Sequence, residues 1–481
     1  MSFHNTLYFP KSSWVRWVIG LGFGLLLFVT VSSQFRSAAV EPTLASLPQD
    51  PFIQVYFNHN QAAVYTDPYR HIARQGDDLE ARIVEAIESA QTSIDVAVHE
   101  FTLPHIALAL QRQKAEGVQV RVVLENTYSN PLSHQNWASI QALDSYDRAK
   151  AEDRYAFVDM NQDGRITEAE LSQRDAVSIL TAAGIPVIDD TADGTKGSGL
   201  MHHKFMVIDR QVVLTGSANW TMSGVHGDFS SVESRGNANS LLVIESPGLA
   251  RHFTEEFDLL WGDGPEGAED SLFGLQKPHR RAAQTAIAGS LVNVQFSPVS
   301  KSKPWDMSAN ALIAKTLNQA AQGVDMALFV FSEQGISNQL MGVANRGVTV
   351  RALIDRSFAY QSYSEGLDML GLSMPDHRCK YEAQNAPWPD PIASVGVAAL
   401  SRGDKLHHKF AVVDHRTVVV GSQNWSQAAN HTNDENVLII ENPTVAAHFE
   451  REFARLYGQG ETGMTDSLRH KIAERRQQCQ R

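Results

Sequence analysis

Short apolar runs closed by glycine recur along two stretches of the chain in the same order. In the first, Ser93-Ile94-Asp95-Val96-Ala97-Val98 leads through Phe101-Thr102 to Glu116-Gly117-Val118-Gln119-Val120-Arg121-Val122-Val123-Leu124. In the second, Val324-Asp325-Met326-Ala327-Leu328 leads through Phe331-Ser332 to Arg346-Gly347-Val348-Thr349-Val350-Arg351-Ala352-Leu353-Ile354. β-Branched alternation predicts strands, and the run between them predicts a crossover helix stopped by the glycine. Further on, the strand-like Leu241–Glu245 precedes a helical run at Ala250–Trp261, and Val437–Glu441 precedes another at Val445–Tyr457. The chain therefore reads as a tandem repeat of one α/β unit, spanning 50–262 and 291–458. Residues 263–290, rich in Gly, Ala and charge, read as a linker, and 459–481 as a polar tail, a peripheral helix or disordered.

Inside each unit lies a polar phrase with fixed spacing. His202-x-Lys204, Asp209 and Gly216-Ser217-x-Asn219-Trp220 make the first copy; His407-x-Lys409, Asp414 and Gly421-Ser422-x-Asn424-Trp425 make the second. Residues two apart on a strand face the same side. His202 therefore projects with Lys204, and His407 with Lys409, while His203 and His408 face the other way as structural histidines. Two Lys and two Asn give fixed donors for phosphate oxygens. Two imidazoles across a phosphorus allow attack by one and protonation of the leaving oxygen by the other.

This combination resembles the phospholipase D superfamily, whose signature is His-x-Lys-x4-Asp followed by Gly-Ser-x-Asn. The resemblance covers about residues 53–458, and Phe101-Thr102 and Asn433-Asp434-Glu435-Asn436 look most like the bacterial endonuclease and mitochondrial cardiolipin hydrolase branch. It implies two pseudo-symmetric α/β/α domains with mixed β-sheets and one active site at their interface, complete within a monomer. It also implies a two-step mechanism with no catalytic cofactor. One of His202 and His407 forms a phosphohistidine, and the other protonates the leaving group and later activates water. Lys204, Lys409, Asn219 and Asn424 hold the phosphate, with Asp209, Asp414, Ser217 and Ser422 in support. Aligning Leu241–Glu245 with Val437–Glu441 puts Asn239 opposite Glu435. A carboxylate raises the proton affinity of the histidine it touches. The expectation is that Glu435 touches His407, making it the general acid and His202 the nucleophile.

The first half is longer than the second before its motif: Leu124 to His202 spans 78 positions and Ile354 to His407 spans 53. The surplus contains Asp159-x-Asn161-x-Asp163-Gly164-Arg165-Ile166-Thr167-x-x-Glu170, a twelve-residue EF-hand pattern. In it Asp159, Asn161, Asp163, the Arg165 carbonyl, Thr167 through a water, and Glu170 would bind Ca²⁺. Asp147–Val158 and Leu171–Thr181 flank it as helical segments, within an insertion at about 145–182. A lone loop suggests weak binding and a structural role near the site mouth.

Trp17–Val31 is an uncharged run after Lys11 and Arg16 and before Ser37-Ala38-Ala39, the layout of a signal peptide or an uncleaved membrane anchor over 1–39. Either places the body outside the cytoplasm, in the periplasm or beyond. Residues 1–39 hold three basic residues and no acid, so removing them takes the net charge from −13 to −16. Such a body has no general attraction for nucleic acid or anionic lipid, and a local site must hold any anionic substrate. Cys379 and Cys479 suit a disulfide in that compartment, or two free thiols equally.

Three functions compete. Export, a possible anchor and the acidic body favour a phosphodiesterase acting on phospholipid. The flanking resemblance favours an exported endonuclease of the same mechanism, with Lys196, Arg402 and Lys405 as local cations. The third is a non-catalytic calcium-binding scaffold, against which both intact motifs stand. The substrate is a phosphodiester, phospholipid or nucleic acid.

Overall fold

The computed structural model describes residues 41–480 apart from 135, 136, 196 and 266. The leader or anchor expected at 1–39 and the cation Lys196 lie outside them. Among the described residues no helix is long and apolar enough to cross a membrane.

Two mixed sheets form the frame. The first has seven strands in the order Ile53–Phe57, Ser240–Glu245, Val212–Gly216, Lys204–Ile208, Ser93–Val98, Gln119–Leu124, Val187–Asp189. The second repeats that order as Ser290–Ser297, Glu435–Glu441, Thr417–Gly421, Lys409–Val413, Gly323–Leu328, Thr349–Ile354, Val395–Val397. It gains Ala283–Ile287 and Glu461–Thr462 at its edges. The predicted strands pair as a crossover requires: Ser93–Val98 runs parallel to Gln119–Leu124, and Gly323–Leu328 parallel to Thr349–Ile354. The motif strands run antiparallel to these central strands, Lys204 facing Val98 and Lys409 facing Leu328.

The cores explain how the halves meet. A shared core packs Phe205, Val207, Phe253 and Phe257 of the first half with Phe410, Val412, Phe449 and Phe453 of the second. The helices Pro247–Trp261 and Pro443–Gln459 lie in this middle layer. The crossover helices Pro104–Ala115 and Gln334–Asn345 cover the outer faces, each over its own core. Burying large apolar side chains between the halves stabilises their union by about 2 kcal/mol per fully buried Phe.

The segment read as a linker is structured. It contributes the strand Ala283–Ile287, paired with Ser290–Ser297, and Lys277, whose ammonium pairs with Glu256 and, at 2.6 Å, with Asp434. The tail forms the helix Asp466–Gln478. A disulfide between Cys379 and Cys479 ties it to the loop that follows Met374.

The insertion folds as helix, loop, helix. Ser145–Val158 is helical, whereas the expected helix Leu171–Thr181 is divided into Glu168–Arg174 and Ala176–Ala182. Asp175 breaks it by leaving the helical region and capping the second piece. Asp159 accepts the N–H groups of Asp163 and Gly164, Asn161 that of Asp163, and Asp163 that of Arg165. Glu170 caps its own helix with Thr167 and accepts from the Met160, Asn161 and Thr167 amides. Among the described residues no three His, Cys, Asp or Glu side chains converge to hold a metal ion. The Ca²⁺ site expected at Asp159–Glu170 is therefore not supported among the described residues.

Candidate active site

The motif strands begin where the halves touch, and the backbone there is shared. The His202 N–H donates to the Asp434 carbonyl at 3.0 Å, and the Asp434 N–H to that of Leu200 at 2.9 Å. The same exchange joins His407 to Ala238 and Ala238 to Lys405, at 3.1 and 2.8 Å. Met201 is bridged to Asp434, and Leu406 to Ala238. Each motif histidine therefore lies beside a residue just before the strand that follows the other half's motif.

This crossing overturns the expected pairing. Glu435 does not touch His407; its Oε2 lies 2.7 Å from His202 Nδ1. His407 Nδ1 lies instead 3.0 Å from Asn239 Oδ1. The Asn239 amide nitrogen donates to the Gly224 and Asn237 carbonyls, so its oxygen is the acceptor and His407 carries hydrogen on Nδ1. With both Nδ1 atoms engaged, both Nε2 atoms are left for chemistry.

Lys204 and Lys409 project with their histidines, and each ammonium donates to its own histidine's carbonyl, at 2.8 and 2.7 Å. His203 and His408 point away, onto Glu256 at 2.9 Å and Glu452 at 3.0 Å in the middle layer. Burial and the two ammonium groups hold His202 and His407 well below the ordinary imidazole range. Burial lowers Lys204 to about 7 and Lys409 well below its usual value. Burial also pushes Glu435 up to about 7. Each motif's lysine depresses the other motif's histidine, so the two sets of groups lie within electrostatic reach of one another. A phosphodiester anion would offset the two ammonium charges and restore proton affinity to the imidazoles.

The remaining motif residues build the frame. Asp209 accepts the amides of Gln91, Thr92 and Ser93, and Asp414 those of Ala321, Gln322 and Gly323, each fixing the start of a central strand. A Cβ on Gly216 would lie 2.2 Å from the Ser240 carbonyl oxygen, and one on Gly421 2.3 Å from that of Asn436. Only glycine admits that approach. It lets the next residue reach its neighbours: Ser217 Oγ donates to Asn239 Oδ1 and accepts from the Ser240 amide. Ser422 Oγ accepts the Asn436 amide and bonds Glu435. Asn219 donates to Glu100 at 3.0 Å. The side-chain oxygens of Asn219 and Asn424 are buried without a partner among the described residues.

Several site residues were not singled out from sequence. His99 lies 4.9 Å from the His202 ring and 5.2 Å from Tyr128. Glu100 pairs with Lys150 at 2.5 Å. Comparing the halves at the offset of 230 would have shown them, since His99 and Glu100 stand where Phe329 and Val330 do. Lys277 was also missed, and Asp434 was seen only as part of the flanking pattern; their pairing links segments with no common pattern.

A duplicated mixed α/β frame with paired His and Lys at its seam defines the phospholipase D-like class of fold. The family described as "Cardiolipin synthase, PLD-like domain" matches residues 83–261 and 313–457, and the chain belongs to it. The mitochondrial cardiolipin hydrolase of Xenopus tropicalis is 30% identical over 158 residues, 32% of this chain and 63% of that protein. A phospholipase D of Rickettsia conorii is 28% identical over 180 residues, 37% of this chain and 74% of that protein. The cardiolipin hydrolase of Chlamydomonas reinhardtii, 29% identical over 145 residues, is matched over 54% of its length, so the chain spans less than two thirds of these hydrolases. The crystal structure of phosphatidylserine synthase from Haemophilus influenzae superposes with a TM-score of 0.50 at 12% identity, covering 89% of this chain and 93% of that one. That is a likeness of fold alone.

Proposed function

We propose that the chain is a phospholipase D-type phosphodiesterase that hydrolyses phospholipids through a phosphohistidine. The observation that carries this reading is the trans pairing of the two histidines, which leaves two Nε2 atoms in one desolvated site with two lysines. His202 is the nucleophile. The Glu435 carboxylate accepts its Nδ1 proton, enriches Nε2 and balances the positive charge the ring acquires on attack. This reverses the route expected from sequence, where the carboxylate marked the general acid, but keeps the same assignment.

The steps balance as follows. His202 Nε2 attacks phosphorus, forming P–N as the P–O bond to the leaving alcohol breaks. The leaving oxygen takes the Nε2 proton of His407, whose Nδ1–H is held by the neutral Asn239. Water then attacks phosphorus, gives a proton to His407, and the P–N electron pair returns to His202. Lys204, Lys409, Asn219 and Asn424 hold the phosphoryl oxygens throughout.

The apolar run expected at 1–39 to be a signal peptide or anchor supports placement outside the cytoplasm. The test is turnover of cardiolipin, phosphatidylcholine, single-stranded DNA and RNA by the purified chain. Hydrolysis of lipid with a quenched, denatured phosphoenzyme labelled on His202 is expected. A label on His407 reverses the roles, and turnover of nucleic acid alone replaces the lipid reading with the nuclease.

A further inference from the structure

One wall of the site differs between the halves although its backbone does not. The His99 N–H donates to the His203 carbonyl at 2.9 Å, and the Phe329 N–H to that of His408 at 2.8 Å, so the positions correspond. In the second half Phe329 lies 4.7 Å from both the His407 and Phe358 rings, and Val330 follows. In the first half His99 and Tyr128 take the places of Phe329 and Phe358, and Glu100 that of Val330. The fold is content with an apolar wall. Burying a histidine and a carboxylate there carries a desolvation cost that packing does not require.

Glu100 accepts from the phosphate-side Asn219 on one oxygen and from Lys150 on the other, at 3.0 and 2.5 Å. The Lys150 ammonium lies 4.9 Å from the Tyr128 ring centroid. His99 Nδ1, 3.6 Å from Glu100 Oε1, is buried without a hydrogen-bond partner among the described residues. Lys150 belongs to the inserted helix Ser145–Val158, which is anchored independently: Asp153 accepts the Phe229 and Ser230 amides, and Arg154 pairs with Asp175. An ammonium held between a carboxylate and an aromatic face, next to a phosphate-binding amide, has the layout of an alkylammonium phosphodiester.

We propose that Glu100 and Tyr128 form a subsite for the ammonium group of a choline- or ethanolamine-type phosphodiester, and that Lys150 fills it as an internal stand-in. The subsite deepens the phosphodiesterase reading and rests on it. Lys150 is long and its side chain is 36% exposed, so it can leave to solvent while its helix stays anchored. With Lys150 in place, the enzyme disfavours cationic head groups relative to glycerol-type ones; without it, that preference inverts.

The experiment uses the full chain as parent, Lys150→Gln, Lys150→Met, Lys150→Arg and Lys150→Gln with Glu100→Gln. Calorimetric titration with choline should show binding at least tenfold tighter in Lys150→Gln and Lys150→Met than in the parent. Lys150→Arg should match the parent, and Glu100→Gln should erase the gain. The kcat/KM ratio of phosphatidylcholine to phosphatidylglycerol should rise by a similar factor. Glycerophosphocholine against glycerophosphoglycerol separates a soluble diester from a lipid head group. Equal changes for choline and glycerol substrates, or no gain in choline binding by whichever of the Gln and Met variants melts like the parent, overturn the subsite. Choline binding gained in a protein that hydrolyses no diester leaves the subsite standing and removes the phosphodiesterase reading instead.

Discussion

The two halves share a skeleton down to individual ion pairs. Arg121 grips Asp95 with two hydrogen bonds, and Arg351 grips Asp325 in the same way. Asp209 and Asp414 secure equivalent strand starts, and His203 and His408 pair with equivalent helix carboxylates. The differences that reach the site are Glu435 against Asn239, His99 and Glu100 against Phe329 and Val330, and an insertion in one half only. Duplication has kept what positions the site, while charge has become one-sided within it. A symmetric frame with one carboxylate can divide attack and proton donation between two otherwise equal imidazoles.

Removing either imidazole should have the largest effect. His202→Ala and His407→Ala should each lower kcat by about 10⁴-fold, and the double variant should be no worse than about either alone. Additive losses in single-turnover assays would mean that the halves work independently. Next comes the asymmetry itself. Glu435→Gln should cost about 10³-fold, and Asn239→Ala about tenfold. Burial raises Glu435 to about 7, so its carboxylate forms as pH rises through that value. Lys204, lowered to about 7, loses its charge over the same range. The kcat/KM profile of the free enzyme should therefore be a narrow bell near 7. Glu435→Gln should remove the acid limb and keep the alkaline one; an unchanged acid limb would take Glu435 out of the pairing. A last effect concerns stability rather than turnover. Lys277→Ala leaves the buried Glu256 and Asp434 with one fewer cation and should destabilise the fold by about 3 kcal/mol in denaturant unfolding. A loss below about 0.5 kcal/mol would show that Arg280, which also reaches Glu256, suffices.

Much of this was legible in the chain. Period-two runs marked the central and motif strands, and the spacing of His, Lys, Asp, Gly and Asn marked the site, because a strand fixes which side chains share a face. What crosses between halves was not legible. Glu435 follows the second motif in sequence, so proximity suggested His407. The Met201–Asp434 bridge, a long-range backbone contact, sends it to His202 instead. The oxygen pattern at Asp159–Glu170 was also incomplete. Spacing gives the residues of a calcium loop, but not whether their oxygens turn inward or onto local amides. Cys379 and Cys479 carried no distance in the sequence, and their union depends on where the tail helix lands.

The exchange of histidine partners across the seam means that neither half holds a finished imidazole. A half folded by itself would lack the Nδ1 partner its motif histidine has in the whole chain, and should lose turnover in a direct assay. Tethering the halves through residues 263–290 makes their meeting intramolecular, at an effective concentration set by chain length. Competence should therefore be independent of protein concentration. Two separately made halves, by contrast, should regain it only by mass action, each lending the other its missing acceptor.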